Sequence, residues 1–194
     1  MNTVATLKHY SIEEYLATEQ QAEIKSEYYA GETYPIAGGT INHNQIIINL
    51  CIILGLAFKK RDYRVFAGDV KLHIPEVNAF TYPDILVIQG EADYYQNRRD
   101  TICNAKLIIE VLSDSTKDYD RAGKFEIYRH LIDLQDYILI SQDKIHIEHF
   151  AKQAPQQWLL TEYNAATDII NIKQLDMTLS TMDIYDKAEL LTTS

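Results

Sequence analysis

Only two cysteines occur in the 194 residues, Cys51 and Cys103, and neither lies in a C-x-x-C pair or a zinc-ligand spacing. That pattern excludes a disulfide framework and fits free thiols in a reducing compartment. Four prolines and seven glycines exclude a collagenous or low-complexity chain. The longest apolar run, IIINLCIILGLAF at 46–58, is broken by Asn49 and is too short to span a bilayer. No basic segment followed by an apolar run opens the chain, so no signal peptide and no membrane anchor are expected, and the expected location is cytoplasmic. Positive charge is scarce as well. Eighteen Lys and Arg stand against 28 Asp and Glu, a formal charge of −10, which excludes nucleic-acid binding by bulk electrostatics. Any contact of that kind has to rest on local basic spots.

The remainder is ordinary globular material, 46% hydrophobic and 24% charged, with fourteen Tyr against one Trp. The length suits a single domain over 1–194. Its expected parts are an N-terminal helix and hairpin (1–40), a core (41–141) and C-terminal strands (142–194). Ser11-Ile12-Glu13-Glu14 fits a capping box, so a helix is expected from Ser11 to about Thr18. SEYYAGETYPIA predicts two strands joined at Ala30-Gly31. A helix is expected from about Asn42 to Lys60, apolar on nearly every side, as in a central helix or a subunit interface. A homodimer is expected on that ground.

Strands are expected at 63–68, 70–74 and 84–89, then a polar loop, then the strand KLIIEVL, a helix from about Thr116 to Leu131, and a strand at 136–141. KIHIEHF, QWLLTEY and DIINIKQL predict antiparallel strands. The pattern is that of one α/β domain.

Two of these strands carry carboxylates where apolar residues are cheaper to bury. Asp84 opens DILVIQ after Pro83, and Glu110 lies inside LIIEVL, 26 residues later. Side chains alternate along a strand, so neighbouring strands in register would aim both carboxylates at one spot. Two such charges about 4 Å apart repel by roughly 4 kcal/mol at an effective dielectric near 20. A proton or a divalent cation relieves that repulsion, and Mg²⁺ is the natural candidate because it accepts one or two carboxylates and keeps several waters. Lys124 follows Glu110 by fourteen residues, on a helix that can pack back over the sheet and bring an ammonium to the metal.

Each residue also has a plain structural role open to it. Glu110 can pair with a nearby Lys or Arg, and Asp84 can be a strand-start residue. Asp120 and Lys124 are i, i+4 on a helix, an ordinary pair worth about 0.3–0.5 kcal/mol. Asp118 and Asp120 suit the positive end of that helix. Tyr128, one turn beyond Lys124, can orient the lysine or pack. Ser113, Ser115 and Thr116 can cap the helix or bind a phosphate at its start. His146 and His149, three apart on a strand, face opposite sides and make no metal pair.

The wording TYPDILVI, followed by LIIEVLSDSTKDYDRAGKFEIYRHLIDLQDYILI, resembles the Uma-two family of restriction-endonuclease-like proteins. EYYAGETYPIAGGTINHNQIIINL is similar to that family's N-terminal half, so the likeness runs from about residue 8 to 141. Its most specific element is E-V-L-S-x-S-T-x(3)-D-x(3)-K-x(3)-Y, Glu110 through Tyr128. The resemblance implies a PD-(D/E)xK core, a mixed sheet flanked by helices, with Mg²⁺-dependent phosphodiester hydrolysis (Mn²⁺ as substitute). It places Pro83-Asp84 at the PD and Glu110 at the acidic position. Leu112 occupies the usual lysine position, and the family pattern makes Lys124 the substitute amine. The same likeness adds the backbone carbonyl of Val111 as a metal ligand. It also marks His43, for which capping or packing is the commoner role.

The implied substrate is nucleic acid, DNA in the first instance. Three small basic spots are available to meet it: Lys59, Lys60, Arg61 and Arg64 around Tyr63; Arg98 and Arg99; and Lys117 with Arg121. Each is otherwise a solvated turn. The missing lysine and the −10 charge keep open a catalytically inactive binding or assembly protein on the same fold. A metal-dependent hydrolase of small phosphoesters is a third possibility.

Overall fold

Ser11 opens helix α1 (Ile12–Glu19) with a reciprocal capping box: its hydroxyl accepts from the Glu14 N–H, and the Glu14 carboxylate accepts from the Ser11 N–H. The protein is seen as a computed structural model that describes residues 9–36, 38–112 and 123–190. After α1, β1 (Ser26–Tyr29) and β2 (Glu32–Pro35) form the expected hairpin. Its turn places Ala30 and Gly31 at positive φ, 49° and 100°, which a two-residue hairpin turn requires.

Helix α2 (Ile41–Ala57) is capped by Thr40, whose Oγ1 accepts from the His43 N–H. It ends before the expected Lys60, at a turn where Lys60 takes φ 68°. Although apolar nearly all round, it buries one face only. Ile46, Leu50, Leu54 and Phe58, spaced by four, enter the core, while Ile41, Ile48, Ile52 and Leu56 stay exposed. Asn49, the residue that breaks the apolar run, donates to the carbonyls of Ile184 (3.0 Å) and Asp186 (2.8 Å). Arg61, just past the helix, donates to those of Leu175 and Asp176.

The strands that follow are β3 (Tyr63–Ala67), β4 (Lys71–Ile74), β5 (Ala79–Thr81), β6 (Ile85–Gln89), β7 (Thr101–Ile102) and β8 (Leu107–Leu112). Beyond them lie α3 (Phe125–Tyr128), β9 (Asp136–Ser141), β10 (Ile147–Ala154), β11 (Gln157–Tyr163), β12 (Ile169–Ile172), β13 (Met177–Ser180) and α4 (Thr181–Ile184). Six strands make a mixed sheet in the order β3-β6-β8-β9-β10-β11; only β8 and β9 are parallel in it. The smaller sheet runs β2-β1-β5-β4-β7.

One face of the large sheet packs on α2, α4 and the β12–β13 hairpin through Ile85, Val87, Ile109, Val111, Ile138 and Ile140. The other face packs on the smaller sheet and α3 through Leu86, Ile88, Ile108, Leu112 and Tyr137. The period-2 alternation of β6 and β8 therefore divides two cores. On the far side of the smaller sheet, Tyr15 and Leu16 of α1 meet Tyr28 and Phe80.

Several boundaries differ from expectation. The short β5 and β7 and the late β13 were not anticipated; strands of two to four residues carry too little periodicity to register. DIINIKQL is not one sheet strand. A 3₁₀ turn at Lys173–Leu175 and Asp176 at φ 48° fold β13 back on β12 as a separate two-stranded sheet. Of the helix expected over 116–131, residues up to 122 lie outside the described ones. The described part ends at Tyr128 rather than Leu131, because 129–130 turn toward β9. Among the described residues no helix is long and apolar enough to cross a membrane.

Candidate active site

β6 and β8 are antiparallel neighbours with Ile85 opposite Ile109, which sets Asp84 against Glu110 at the next step of the ladder. Two hydrogen bonds lock them together. The Asp84 N–H donates to Glu110 Oε2 (3.2 Å), and the Val111 N–H donates to Asp84 Oδ2 (2.7 Å). Glu110 is 2% exposed, so its charge has to be answered inside the protein.

The answer comes from the helix after β8. Lys124 Nζ lies 3.1 Å from Glu110 Oε1, and the Tyr128 hydroxyl donates to the same oxygen at 2.8 Å. Lys124 and Tyr128 are four apart and so share a helix face. Burial, then the neighbouring Glu110 charge, hold the Tyr128 phenol well above its ordinary pKa, so it stays a donor.

A second carboxylate reaches Lys124 from the other sheet. Glu27 Oε1 is 3.2 Å from Lys124 Nζ and accepts from the Tyr82 N–H at 3.2 Å. Sequence reasoning missed Glu27. It occupies a four-residue hairpin strand in which Glu27 and Tyr28 are both buried, so no alternation marks it. The pairing of β1 with β5, which carries it inward, is a tertiary fact.

His43, on the first turn of α2, places Nε2 3.3 Å from Asp84 Oδ2. Its Nδ1 is enclosed without a hydrogen-bond partner. Gly39 allows the ring to sit there: a Cβ at that position would be 2.5 Å from Nδ1. For Val111, it is the amide that engages Asp84. Leu112, at the usual lysine position, is part of the core between the sheets, where an ammonium would be stranded. Asp120 lies outside the described residues, as do Ser113, Ser115, Thr116, Lys117, Asp118 and Arg121.

Among the described side chains, two carboxylates (Glu110 and Glu27) thus meet one ammonium, and Asp84 is tied to them through its N–H on Glu110. Asp84 Oδ1 takes part in none of these bonds, and its side chain remains 23% exposed. It is the anionic oxygen that faces outward.

The basic turn at 59–64 is elsewhere. Tyr63 pairs with Gln89 and Ala67 with Ile85, so that turn lies at the end of β3 away from Asp84, and Arg64 pairs with Glu91. His149 is buried against Asp136 (2.7 Å). His146, by contrast, forms a cluster with Glu148 and Glu162 whose ligand atoms lie within 4.8 Å of one another, a group that considering the histidines alone overlooked. A cavity of about 800 Å³, lined by Arg129, His130, Lys152 and Trp158, contains none of the Asp84 group.

A mixed sheet with helices packed against it is the fold of a restriction-endonuclease-like protein. Residues 12–182 match the Uma2 family, described as "Putative restriction endonuclease", and the chain belongs to that family. Two relatives come from Synechocystis sp. (strain PCC 6803). The uncharacterized protein sll1609 is 43% identical over 162 residues, covering 84% of this chain and 92% of the relative. The uncharacterized protein slr1290 is 34% identical over 177 residues, covering 90% of each. A crystal structure of "a putative nuclease belonging to DUF820" from Anabaena variabilis shares the fold, with a TM-score of 0.75 at 19% identity, over 91% of this chain and 97% of that one.

Proposed function

We propose that the protein is a metal-dependent nuclease that hydrolyses phosphodiester bonds in nucleic acid, DNA in the first instance. Asp84 and Glu110 would hold the metal and Lys124 would serve the reacting phosphate. The observation that carries this is the geometry at one point: Asp84 set against Glu110 by strand register, with Lys124 Nζ 3.1 Å from Glu110. The family description and that of the Anabaena structure support a nuclease in general terms.

The donor set fits a hard divalent cation. It is all oxygen, it is anionic, and Asp84 Oδ1 is left outward-facing while Oδ2 is fixed by the Val111 amide. Asp84 and Glu110 would hold Mg²⁺, or Mn²⁺ in its place, with the Val111 carbonyl as a further oxygen. When bound, the metal supplies a Lewis acid at the phosphoryl oxygen and lowers the pKa of a coordinated water.

The chain's own residues do the rest. Tyr128 and Lys124 hold Glu110 in one orientation, and Lys124 keeps an ammonium where negative charge develops on a phosphate. Glu27 and Tyr82 anchor Lys124 from the other sheet. His43 steadies Asp84 from α2.

Plasmid DNA incubated with protein and Mg²⁺ or Mn²⁺ tests this. Asp84→Asn and Glu110→Gln are each expected to lower cleavage at least about 100-fold. Undiminished cleavage by both variants overturns the assignment.

One observation favours a second reading, a binding or assembly protein without turnover: Lys124 already sits between two carboxylates. Calorimetry that detects no Mg²⁺ binding would select it.

We also infer a homodimer through α2 and a cytoplasmic location. Ile41, Ile48, Ile52 and Leu56 are 56–89% exposed, and no Asp, Glu, Lys or Arg occurs from 41 to 58. On a molecule of charge −10, that face lets two copies approach without repulsion. Ile52→Glu is expected to give monomers in sedimentation analysis; an unchanged sedimentation coefficient, or a monomeric wild type, overturns the dimer.

A further inference from the structure

Glu148 of β10 and Glu162 of β11 stand directly opposite each other across an antiparallel pair. Like charges in that position destabilise a sheet unless a cation joins them. Glu148 is only 5% exposed, whereas Glu162 is exposed and has room to move. His146 reaches the same spot, with Nε2 3.1 Å from Glu148 Oε1. Among the described residues these three are the one group of potential metal ligands whose donor atoms all lie within 4.8 Å of one another.

The remote ring nitrogen shows what the near one is ready to do. His146 Nδ1 lies 2.7 Å from Asn164 Oδ1, and the Asn164 N–H in turn donates to Asp168 Oδ2 at 2.9 Å. An amide oxygen only accepts, so Nδ1 carries a proton. In the neutral ring Nε2 is then a lone pair aimed at a carboxylate oxygen, two acceptors face to face. A cation between them removes the conflict. A proton serves one such pair; three donors suit a metal. Histidines that bind metals are held in this manner, donating the remote N–H to a fixed oxygen. The separation of 3.1 Å fits as well, because two ligand atoms each about 2.0–2.2 Å from one ion lie roughly 3.0–3.6 Å apart.

Strand register places the group. Glu110 pairs with Leu139, Leu139 with Glu148, and Glu148 with Glu162, so all four share one face of the large sheet. Glu148 is two strands from Glu110, about 10 Å. That is too far for the second ion of a two-metal centre, whose ions lie about 3.5–4 Å apart.

We propose that His146, Glu148 and Glu162 form a separate site for a divalent transition-metal ion, Zn²⁺ by its mixed nitrogen and oxygen donors. The site does not depend on the nuclease reading. The ion cancels the repulsion between Glu148 and Glu162 and ties β11, an edge strand of the large sheet, to the start of β10. Three protein ligands leave a fourth position for water.

The metal-stripped full chain, titrated with Zn²⁺ or Mg²⁺ alone and followed by NMR of the imidazole nitrogens, tests it. One equivalent of Zn²⁺ is expected to shift the His146 Nε2 resonance while Nδ1 keeps its proton; Mg²⁺ is expected to shift neither. Glu162→Gln, a change at an exposed side chain, is expected to weaken Zn²⁺ binding at least about tenfold. A His146 resonance unmoved by equimolar Zn²⁺, or a response confined to His43 beside Asp84, overturns the site. Full Zn²⁺ affinity in Glu162→Gln overturns it too, and an equal response to Mg²⁺ overturns the choice of ion.

Discussion

Glu27 and Glu110 stand in different sheets, yet their Oε1 atoms lie 3.2 and 3.1 Å from the same nitrogen, Nζ of Lys124. All three residues are at least 92% buried. Removing the cation therefore leaves two buried carboxylates facing each other. Lys124→Met is expected to lower stability by about 3–5 kcal/mol, the usual result of breaking a buried charge pair from one side. Glu27→Gln, which leaves Glu110 to hold the lysine, is expected to lower it less, and the double variant to recover part of the loss of Lys124→Met. Urea denaturation of the four proteins measures this; simple additivity would mean that the three groups do not act together.

Gly39 is required by the ring packed against it rather than by its backbone angle. A methyl group 2.5 Å from His43 Nδ1 forces the imidazole off Asp84. Gly39→Ala is expected to reduce cleavage about tenfold while changing the urea midpoint little, because the position itself is exposed. His43→Ala added to Gly39→Ala is expected to cause no further loss, and a multiplicative loss would refute the route through His43.

His73 makes stability depend on pH. Burial between Phe80 (ring centroids 4.3 Å apart) and Tyr95 (4.4 Å) pushes its pKa down to about 4. The unfolded chain protonates this histidine near pH 6.5, whereas the native state resists until about pH 4. Between those values the unfolded state binds the extra proton. Stability is thus complete above pH 6.5 and falls as pH drops toward 4, by at most about 3 kcal/mol. His73→Phe is expected to flatten that part of the curve in urea titrations at pH 4–7.

Neither thiol is a nucleophile at neutral pH. Burial pushes Cys103 up to about 11, with Asp93 adding to the effect, and raises Cys51 as well. Both are expected to react with a disulfide reagent at pH 8 at least about tenfold more slowly in the native protein than in urea.

The centre of the site was legible because its geometry is local. Strand alternation aims Asp84 and Glu110, and a helix that returns over its own strand delivers Lys124; each follows from a few residues' spacing. Glu27 and Gly39 were invisible for the opposite reason. Their roles depend on β1 pairing with β5 and on a ring stacked over a loop. The fold class could be anticipated from the order of strands and helices. The split into two sheets could not, because β5 and β7, three and two residues long, decide it. In α2, periodicity could not say which of several apolar sides is buried, since the arc does not narrow to one face.

Asn42, Asn49 and Arg61 clasp carbonyls between residues 175 and 189, and β12, β13 and α4 cover the core that α2 begins. The order of synthesis then matters to the order of folding. When α2 and the first strands leave the ribosome, the residues that cover their apolar face are more than a hundred positions away, and loop closure of that length is slow. The growing chain carries an uncovered sheet face through most of translation, the condition under which nascent chains recruit chaperones or aggregate. Asp84, Glu110 and Lys124, by contrast, all lie upstream of residue 125 and can meet early. The cluster around Glu110 can therefore form before the core is closed.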